Sequence, residues 1–332
     1  MVKKSEVPRV VIAEGVFTDV SVEQGHVGDR AVVSLARIDT PDQVAKATQD
    51  ADALIVTTHQ LTREHVARLG AGVRVIARAG VGLDALDLDA LKDRAVAILN
   101  TPSYATAEVA THTIALILAL HRRIVDSDAA ARRCWSDWTS IGAIKPLQEL
   151  TLGLVGCGRI GEAVAQRAAP LVGSIVIHDP ARSDIPIGTR RIERLDDLLD
   201  ISDIVSLHLP LTSKTAGLIG ETQLARMKPG AILVNVARGG LVDEAALCRA
   251  LRDGHLGGAG LDVVASEPPA LDAEILSAPR TLLTPHTGWY STGSERRVRT
   301  QAIDGVLALL EGQQTEPANL VWQPSSSTQV SE

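Results

Sequence analysis

The chain contains few aromatic residues and few cysteines. Aromatic residues make up 2% of its 332 residues, so the core must consist mainly of Val, Ile, Leu and Ala side chains. The three cysteines, Cys134, Cys157 and Cys248, have the spacing of neither a disulfide framework nor a metal site. This pattern fits a reducing compartment, and we expect a cytoplasmic protein without a bound metal.

Long apolar runs and an excess of positive charge are also missing. The longest apolar run, near residues 113–120, is far shorter than the roughly 20 residues of a membrane-spanning helix. Residues 1–8 are polar and charged, unlike the apolar core of a signal peptide. The 33 Lys and Arg residues are outnumbered by 40 Asp and Glu residues, which gives a net charge of −7. The sequence therefore predicts neither membrane insertion nor binding to nucleic acid.

The proportions of apolar and charged residues, 45% and 22%, indicate a globular protein rather than a disordered, collagen-like or coiled-coil chain. At about 150 residues per domain, the length suggests two domains. Short β-branched runs alternate with helical patterns, which is typical of parallel sheets covered by helices on both faces. The predicted strands are residues 10–13, 31–35, 53–57, 73–77 and 96–99, followed by 152–155, 174–178, 204–207, 231–236, 258–262 and 281–284.

Several segments between these strands have the pattern of helices. The predicted helices cover residues 41–49, 62–69, 106–125, 159–171, 243–253 and 295–310. The longest, 106–125, could connect the two α/β units, and the last could return to the first unit. Residues 132–150 show no regular pattern, and the polar, Ser-rich residues 323–332 are expected to form a disordered tail.

A glycine motif follows the predicted strand at 152–155 and precedes a predicted helix. Residues 156–161 read Gly-Cys-Gly-Arg-Ile-Gly, the G-x-G-x-x-G pattern in the strand–turn–helix context of a dinucleotide site. Gly156 allows the tight turn, Gly158 lets a pyrophosphate approach the backbone, and Gly161 lets the helix pack close to the strand. The helix N-terminus then favours the phosphate charge.

An acidic residue stands at the expected distance from this motif. The next predicted strand, 174–178, is followed by Asp179, 18 residues after Gly161. A carboxylate at this place accepts hydrogen bonds from ribose hydroxyls and repels a 2′-phosphate, so NAD is favoured over NADP. The nearby Arg182 argues in the opposite direction, because an arginine can accommodate that phosphate.

Reactive side chains follow three later strands. Ligands of open α/β sheets bind at the carboxyl ends of the strands, so Arg238, Asp262, Glu267 and His286 can converge beside the cofactor. His286 can transfer a proton near neutral pH, and Glu267 can orient its ring. Arg238 presents a planar fork to a carboxylate, and Asp262 could hold the nicotinamide end. These residue types suit hydride transfer between a nicotinamide and a 2-hydroxy acid.

Together these motifs resemble the D-isomer-specific 2-hydroxyacid dehydrogenase family. The resemblance runs from about residue 54 to 310 and includes His-Leu-Pro-Leu-Thr at 208–212, Met-Lys-Pro-Gly at 227–230, and residues 235–242 and 285–286. In that family the matching Arg, Glu and His carry catalysis, which implies this role for Arg238, Glu267 and His286.

The resemblance also implies the domain organisation. It implies an α/β fold of two Rossmann-like, doubly wound parallel-sheet domains. The substrate domain would comprise residues 1–103 and 293–322, and the NAD-binding domain, residues 104–292, would be inserted into it. A homodimer through the 106–125 region is also implied.

The resemblance further implies contacts to substrate and cofactor. The loop Arg-Ala-Gly-Val-Gly-Leu-Asp at 78–84 is similar to the family's substrate-carboxylate loop, with Arg78, Val81 and Gly82 as binding residues, although Ala85 stands where the family usually has Asn. The residues expected to contact NAD are Gly156, Gly158, Arg159, Ile160, Gly161, Asp179, Leu209, Pro210, Thr215, Val236, Ala237, Asp262 and Gly288.

Two branches of the family show the greatest similarity, the C-terminal binding protein-like and the phosphoglycerate dehydrogenase-like. Residues 178–180 and 286–291 are similar to the first of these, in which the Trp after the catalytic His projects toward substrate. That role would fall to Trp289. Alternatively, the Trp289 side chain is a hydrophobic cover.

Three functions are open at this point. The first is an NAD-dependent oxidoreductase that acts on a small anionic 2-hydroxy or 2-keto acid. The second is an NAD(H)-sensing corepressor or scaffold of the C-terminal binding protein type. The third is a family member that oxidises a phosphorus oxyanion such as phosphite or a phosphonate, for which Arg78 and Arg238 would supply positive charge.

Overall fold

The computed structural model of the chain describes residues 7–136, 138–313 and 319–324. Two compact units share these residues. Unit 1 contains the described residues up to Tyr104 and those from Ser291 onward, and unit 2 is Ala105–Tyr290, inserted between them. Most of the predicted tail, residues 325–332, lies outside the described residues.

Strands recur through both units, close to the predicted positions. In chain order they are β1 (Arg9–Ala13), β2 (Val32–Ala36), β3 (Ala53–Val56), β4 (Val75–Arg78), β5 (Ala97–Asn100), β6 (Thr151–Val155), β7 (Ser174–His178), β8 (Arg190–Arg191), β9 (Ile204–Leu207), β10 (Ile232–Asn235), β11 (Gly258–Leu261), β12 (Thr281–Leu283) and β13 (Leu320–Trp322). The short strands β8 and β13 were not predicted from the sequence.

Helices connect most of these strands. In chain order they are α1 (Ser21–Val27), α2 (Pro41–Ala47), α3 (Arg63–Ala67), α4 (Leu88–Asp93), α5 (Thr106–His121), α6 (Ile124–Arg133), α7 (Arg159–Ala168), α8 (Leu195–Ile201), α9 (Glu221–Arg226), α10 (Glu244–Arg252) and α11 (Thr292–Leu310). The last helix starts earlier than predicted, because Ser291 and Ser294 form a capping box at its N-terminus.

The prediction of one helix over residues 106–125 is wrong at its C-terminal end. Helix α5 ends at His121, and α6 begins at Ile124 after Arg123 takes a left-handed conformation with φ of 49°. This turn breaks the helical hydrogen-bond pattern. The guanidinium of Arg123 donates to the carbonyl oxygen of Ile141, which ties the break to the following segment.

Unit 1 is built around a sheet in the order β13-β5-β4-β3-β1-β2 among the described residues. Strands β1 to β5 pair in parallel, as predicted. Strand β13 pairs antiparallel with β5, so the all-parallel prediction is wrong at this edge. Helices α2, α3 and α4 contribute Val44, Val66 and Leu91 to the core on one face, and α11 packs against β4 and β5.

Unit 2 contains a parallel sheet in the order β12-β11-β10-β9-β6-β7-β8 among the described residues. Helices α5 and α7 pack together on one face, and α8 to α10 contribute to the core on the other. From β6 the chain first proceeds toward β8 and then returns to β9 on the other side. Such a reversal in strand order creates a crevice at the carboxyl ends of the strands, where ligands of this architecture bind.

The prediction of two parallel-sheet α/β units is therefore confirmed. Within the described ranges, no helix has both the length and the apolarity to cross a membrane.

Candidate active site

The glycine motif lies at the reversal point, directly after β6. Gly156 has φ of +92°, and a Cβ there would lie 2.6 Å from the carbonyl oxygen of His208. A Cβ at Gly161 would lie 2.4 Å from the carbonyl oxygen of Gly156. These two glycines are required by the packing of the protein itself, as the motif predicts.

Gly158 differs from the other two glycines of the motif. A Cβ on Gly158 would meet no heavy atom within 4 Å, and the residue caps the N-terminus of α7. The open space beside its backbone is where a pyrophosphate would approach, and the first N–H groups of a helix have no intrahelical acceptor. The residues present therefore fit a dinucleotide. Arg159 and Ile160 begin α7 on this side of the loop.

Asp179 is bound into the glycine loop. Its Oδ2 accepts a hydrogen bond from Cys157 N at 2.7 Å, and its Oδ1 accepts one from Ala181 N at 2.9 Å. Each carboxylate oxygen can accept a further hydrogen bond, so Asp179 fixes the loop and keeps capacity for ribose hydroxyls.

Arg182 is held by two carboxylates. Its Nη1 donates to Oε2 of Glu162 at 2.8 Å, and its Nη2 donates to Oδ2 of Asp184 at 3.1 Å. Nε donates to the second oxygen of Asp184 at 3.2 Å. The positive charge that argued for NADP in the sequence is thus already paired.

His208 follows β9 and borders the glycine loop. Its Nε2 lies 2.9 Å from Oγ of Ser206, and burial lowers the pKa of the ring to about 3. The ring is therefore neutral at physiological pH and brings no positive charge to the loop. Next in the chain, Leu209 is half-buried, and Thr215 donates to the carbonyl oxygen of Pro210 at 2.7 Å, which closes the turn.

Asn235 positions Arg238 at the end of β10. The buried Asn235 amide donates to the carbonyl oxygen of Arg238 at 2.8 Å and accepts from Ala237 N at 3.0 Å. A Cβ on Gly239 would lie 1.9 Å from the carbonyl oxygen of Val264, so only glycine permits this approach of two loops. The sequence indicated the Arg238 segment but not these roles of Asn235 and Gly239.

His286 and Glu267 form a hydrogen-bonded pair at the end of β12. Nδ1 of His286 lies 2.6 Å from Oε2 of Glu267, and Oε1 of Glu267 accepts from Val264 N at 3.2 Å. Burial raises the pKa of the Glu267 carboxyl, but the hydrogen bond and charge of His286, the Val264 N–H and the charge of Arg238 together hold it below its ordinary value. The carboxylate is ionised, so Nδ1 of His286 is the donor and Nε2 is left for proton exchange.

A cavity of about 480 Å³ adjoins this pair. Apolar residues line most of it, including Leu276, Leu283 and Pro285, and Glu267 and Asp262 are also among the lining residues. An apolar wall with a few convergent polar groups is typical of a small-molecule site.

Asp262 faces the segment that carries His286. Its Oδ1 accepts from the Thr284 hydroxyl at 2.6 Å and from Thr287 N at 2.9 Å, and its Oδ2 accepts from Gly288 N at 2.9 Å. Thr284 also contacts His112 on α5, with 2.9 Å between the hydroxyl oxygen and Nε2. Sequence reasoning expected Asp262 to hold the nicotinamide and missed this network, because no local pattern marks His112.

The remaining predicted residues fall in both units. In unit 2, Val236 is buried, Ala237 and Trp289 are half-buried, and the Trp289 ring lies edge-on to Tyr290 at 5.5 Å. In unit 1, Arg78 ends β4 and its Nη1 donates to the Ala79 carbonyl at 2.6 Å.

The loop after β4 is fixed by the end of the neighbouring strand. The Asn100 amide donates to the carbonyl oxygen of Val81 at 2.9 Å, and Thr101 accepts from Gly80 N at 2.6 Å. The side chain of Asn100 thus supplies an amide to a loop that has Ala85 in place of the usual Asn. Val81 is exposed and Gly82 is half-buried.

Comparison with known proteins places this site in a family. Residues 114–288 match the family described as D-isomer specific 2-hydroxyacid dehydrogenase, NAD binding domain. The chain is 40% identical over 285 residues to D-3-phosphoglycerate dehydrogenase of Mycobacterium bovis, covering 85% of this chain and 54% of that protein. It thus spans about half the length of that relative.

Other relatives are matched over most of their length. Glycerate dehydrogenase of Methylorubrum extorquens is 36% identical over 85% of this chain and 89% of its own. The structure of D-lactate dehydrogenase from Aquifex aeolicus, complexed with NAD and lactic acid, is 30% identical, with a TM-score of 0.88 over 95% of this chain and 100% of that chain. The sequence-based assignment is confirmed, and the chain belongs to the D-isomer specific 2-hydroxyacid dehydrogenase family, with an NAD-binding domain at residues 114–288.

Proposed function

We propose that the protein is an NAD-dependent dehydrogenase that interconverts a small D-2-hydroxy acid and its 2-keto acid. The observation that carries this proposal is the His286–Glu267 pair, 2.6 Å apart, at the carboxyl edge of the sheet that also presents Arg238 and the glycine loop. An oriented imidazole, a guanidinium and a dinucleotide loop on one edge are the groups that this reaction needs.

The residues divide the chemistry between them. Oxidation of a 2-hydroxy acid removes a hydride from C2, which bound NAD accepts, and a proton from the hydroxyl, which Nε2 of His286 can take. Reduction of the keto acid reverses both transfers, and protonated His286 then supplies the proton. Glu267 keeps the ring in the tautomer whose Nε2 exchanges that proton, and Arg238 binds the carboxylate through its planar fork.

Further substrate contacts are expected from the family resemblance. The family resemblance assigns the substrate carboxylate to Arg78 and to the backbone N–H groups of Val81 and Gly82. Trp289 would limit the size of the substrate side chain. The relative named glycerate dehydrogenase supports a small substrate with few carbon atoms.

NAD is the proposed cofactor in preference to NADP. Asp179 stands at the position of the ribose-binding carboxylate, and Arg182 is paired with Glu162 and Asp184 rather than open to a 2′-phosphate. A negative charge beside the ribose and the pairing of Arg182 with two carboxylates both disfavour the phosphorylated cofactor.

We also propose a homodimer through the 106–125 region. The start of α6 supports it, because Ile124 and Val125 are 55% and 59% exposed although both are large and apolar. Covering such side chains is a common reason for association. Light scattering of the purified protein checks the mass, and Ile124→Glu with Val125→Glu should shift it toward that of a monomer.

Steady-state kinetics with the purified protein test the proposed activity. NADH oxidation is followed with hydroxypyruvate, glyoxylate, pyruvate and 2-ketobutyrate. We expect turnover with at least one of them, and Arg238→Lys should lower kcat/KM about 10- to 100-fold because Lys lacks the bidentate fork. Arg249→Lys, on the exposed face of α10, is the matched control.

Other outcomes would overturn the proposal. NADH binding with no turnover on any of these acids, together with NADH-dependent self-association, would indicate an NAD(H)-sensing scaffold. Turnover with phosphite but with no keto acid would indicate oxidation of a phosphorus oxyanion.

A further inference from the structure

His112 is joined to the segment that carries His286 by a chain of hydrogen bonds. Nε2 of His112 lies 2.9 Å from the Thr284 hydroxyl oxygen and 3.5 Å from Oδ1 of Asp262. The Thr284 hydroxyl in turn lies 2.6 Å from Oδ1 of Asp262. The His112 side chain is 23% exposed and that of Asp262 is 3% exposed, so these hydrogen bonds are largely shielded from water.

The donor and the acceptor in each of these hydrogen bonds follow from counting protons. Asp262 accepts from two backbone N–H groups and from the Thr284 hydroxyl. A hydroxyl has one proton, and Thr284 gives it to Asp262. The Thr284 oxygen must therefore accept from His112, which means that Nε2 of His112 carries a proton.

These hydrogen bonds hold the backbone on both sides of His286. Asp262 binds Thr284 before His286, and Thr287 and Gly288 after it, and its own carbonyl oxygen accepts from His286 N at 2.8 Å. His286 has φ of 53°, a left-handed conformation that is unfavourable for a residue with a Cβ. Such a conformation persists only where surrounding contacts hold it, and Asp262 makes those contacts.

Gly288 gives independent evidence that His112 is fitted to this segment. A Cβ on Gly288 would lie 2.8 Å from Oδ2 of Asp262 and 3.3 Å from Cδ2 of His112. The two side chains thus enclose the backbone after His286 from two directions. A larger residue at 288 would have to displace one of them.

We propose that His112 is a positioning residue for the reaction, which rests on the proposed role of His286 as acid and base. The Nε2–H of His112 fixes the Thr284 hydroxyl, this hydroxyl and the backbone fix Asp262, and Asp262 holds His286 in its left-handed conformation. His112 touches neither substrate nor cofactor in this proposal. Its effect is on the placement of the proton-exchanging imidazole.

The test compares variants that keep or remove the donor. His112→Ala and Thr284→Val should lower kcat about 10- to 100-fold, because misplacement of a catalytic group by about 1 Å has an effect of this size. His112→Gln can present an N–H near the position of Nε2 and should recover most of the rate, and Thr284→Ser should do the same with its hydroxyl. His255→Ala, which removes a histidine bound to the Leu224 carbonyl in the same unit, is the matched control.

Two readouts separate positioning from a general loss of structure. The dissociation constant for NADH, measured by fluorescence titration, should change less than about threefold while kcat falls. Hydrogen exchange of the peptide covering residues 284–290 should accelerate in His112→Ala and return toward that of the wild type in His112→Gln.

Two results would overturn the inference: an unchanged kcat in His112→Ala, or a His112→Gln variant as slow as His112→Ala. If the wild type itself turns over no acid, the proposed function fails. Hydrogen exchange at 284–290 still decides whether His112 holds the segment.

Discussion

Nδ1 of His286 and Oε2 of Glu267 are 2.6 Å apart, although 18 residues separate them in the chain. The contact arises because β11 and β12 are parallel neighbours and their carboxyl ends meet at one edge of the sheet. Glu267 is ionised and can only accept, so the pair has a fixed direction. The catalytic proposal depends on this direction, since it leaves Nε2 as the atom that exchanges a proton.

The two residues should behave as one functional unit. His286→Ala should lower kcat about 10²- to 10⁴-fold, the usual contribution of an acid–base residue. Glu267→Ala should lower kcat by a smaller factor, and the double variant should be no slower than His286→Ala, because Glu267 acts only through the imidazole. Steady-state kinetics with the best keto acid measure all three.

Glu221→Ala is a suitable control for the unit, since Glu221 pairs with Arg249 on the surface, at 3.1 Å. Its kcat should equal that of the wild type. Losses of kcat that multiply in the double variant would show that Glu267 and His286 act separately, against the proposed orientation role.

Cofactor selectivity should depend on the two carboxylates that bind Arg182. Glu162→Gln together with Asp184→Asn removes the two negative charges that pair with Arg182, so the affinity for NADPH should rise about tenfold relative to that for NADH. This factor is the value of roughly one new charge-assisted hydrogen bond. Fluorescence titration with both cofactors measures the ratio without turnover. Glu221→Gln removes the partner of Arg249 on the surface of α10 and should leave the ratio unchanged. An unchanged ratio in the double variant would mean that Glu162 and Asp184 do not govern selectivity.

Unit 2 should lose stability in mild acid because of His208. Burial lowers the pKa of this ring from 6.5 to about 3, so the unfolded chain binds a proton that the folded chain excludes. Stability is therefore complete above pH 6.5 and falls as the pH decreases toward 3, by about 2 kcal/mol at pH 5. His121, also in unit 2, has a pKa lowered mainly by burial and acts in the same direction, and burial has the same effect on His59 in unit 1.

Thermal unfolding at pH 7.5 and pH 5 isolates the share of His208. The difference in Tm between the two conditions should be smaller in His208→Gln than in the wild type. His65→Gln replaces a half-buried histidine of unit 1 and should retain the full difference. An equal acid sensitivity in His208→Gln would contradict the buried, neutral ring.

Local sequence patterns predicted much of the framework. The strands at 174–178 and 204–207 have the predicted bounds, because short apolar runs between turn residues have few alternatives. The glycine motif was recognisable since Gly156 and Gly161 are required by local packing. Arg238, Glu267 and His286 were identified as candidates because each follows a strand and the family pattern orders them.

Features that depend on distant contacts were not predictable in this way. Strand β13 exists only through its pairing with β5, more than 200 residues earlier, and its three residues carry no pattern of their own. Helix α5 ends at His121, two residues before the left-handed Arg123, and arginine rarely marks such a break. His112 is an ordinary helix residue until α5 packs beside Thr284, and that contact is visible only in the folded chain.

Substitutions in the glycine loop should affect stability and cofactor binding separately. Gly161→Ala places a methyl group 2.4 Å from the carbonyl oxygen of Gly156, so the backbone must shift and the free energy of unfolding should fall by roughly 1–3 kcal/mol. Gly158→Ala meets no protein atom within 4 Å, and its φ of −71° suits alanine, so stability should change by less than about 1 kcal/mol.

Gly158→Ala should weaken NADH binding although it hardly changes stability. The Gly158→Ala methyl group occupies the space through which a pyrophosphate would approach the backbone, so the dissociation constant for NADH should rise at least about tenfold although the protein remains folded. Fluorescence titration and thermal unfolding of the same samples give both quantities. A Gly158→Ala protein that binds NADH as tightly as the wild type would show that the pyrophosphate does not lie against this loop, because the added methyl group would otherwise block it.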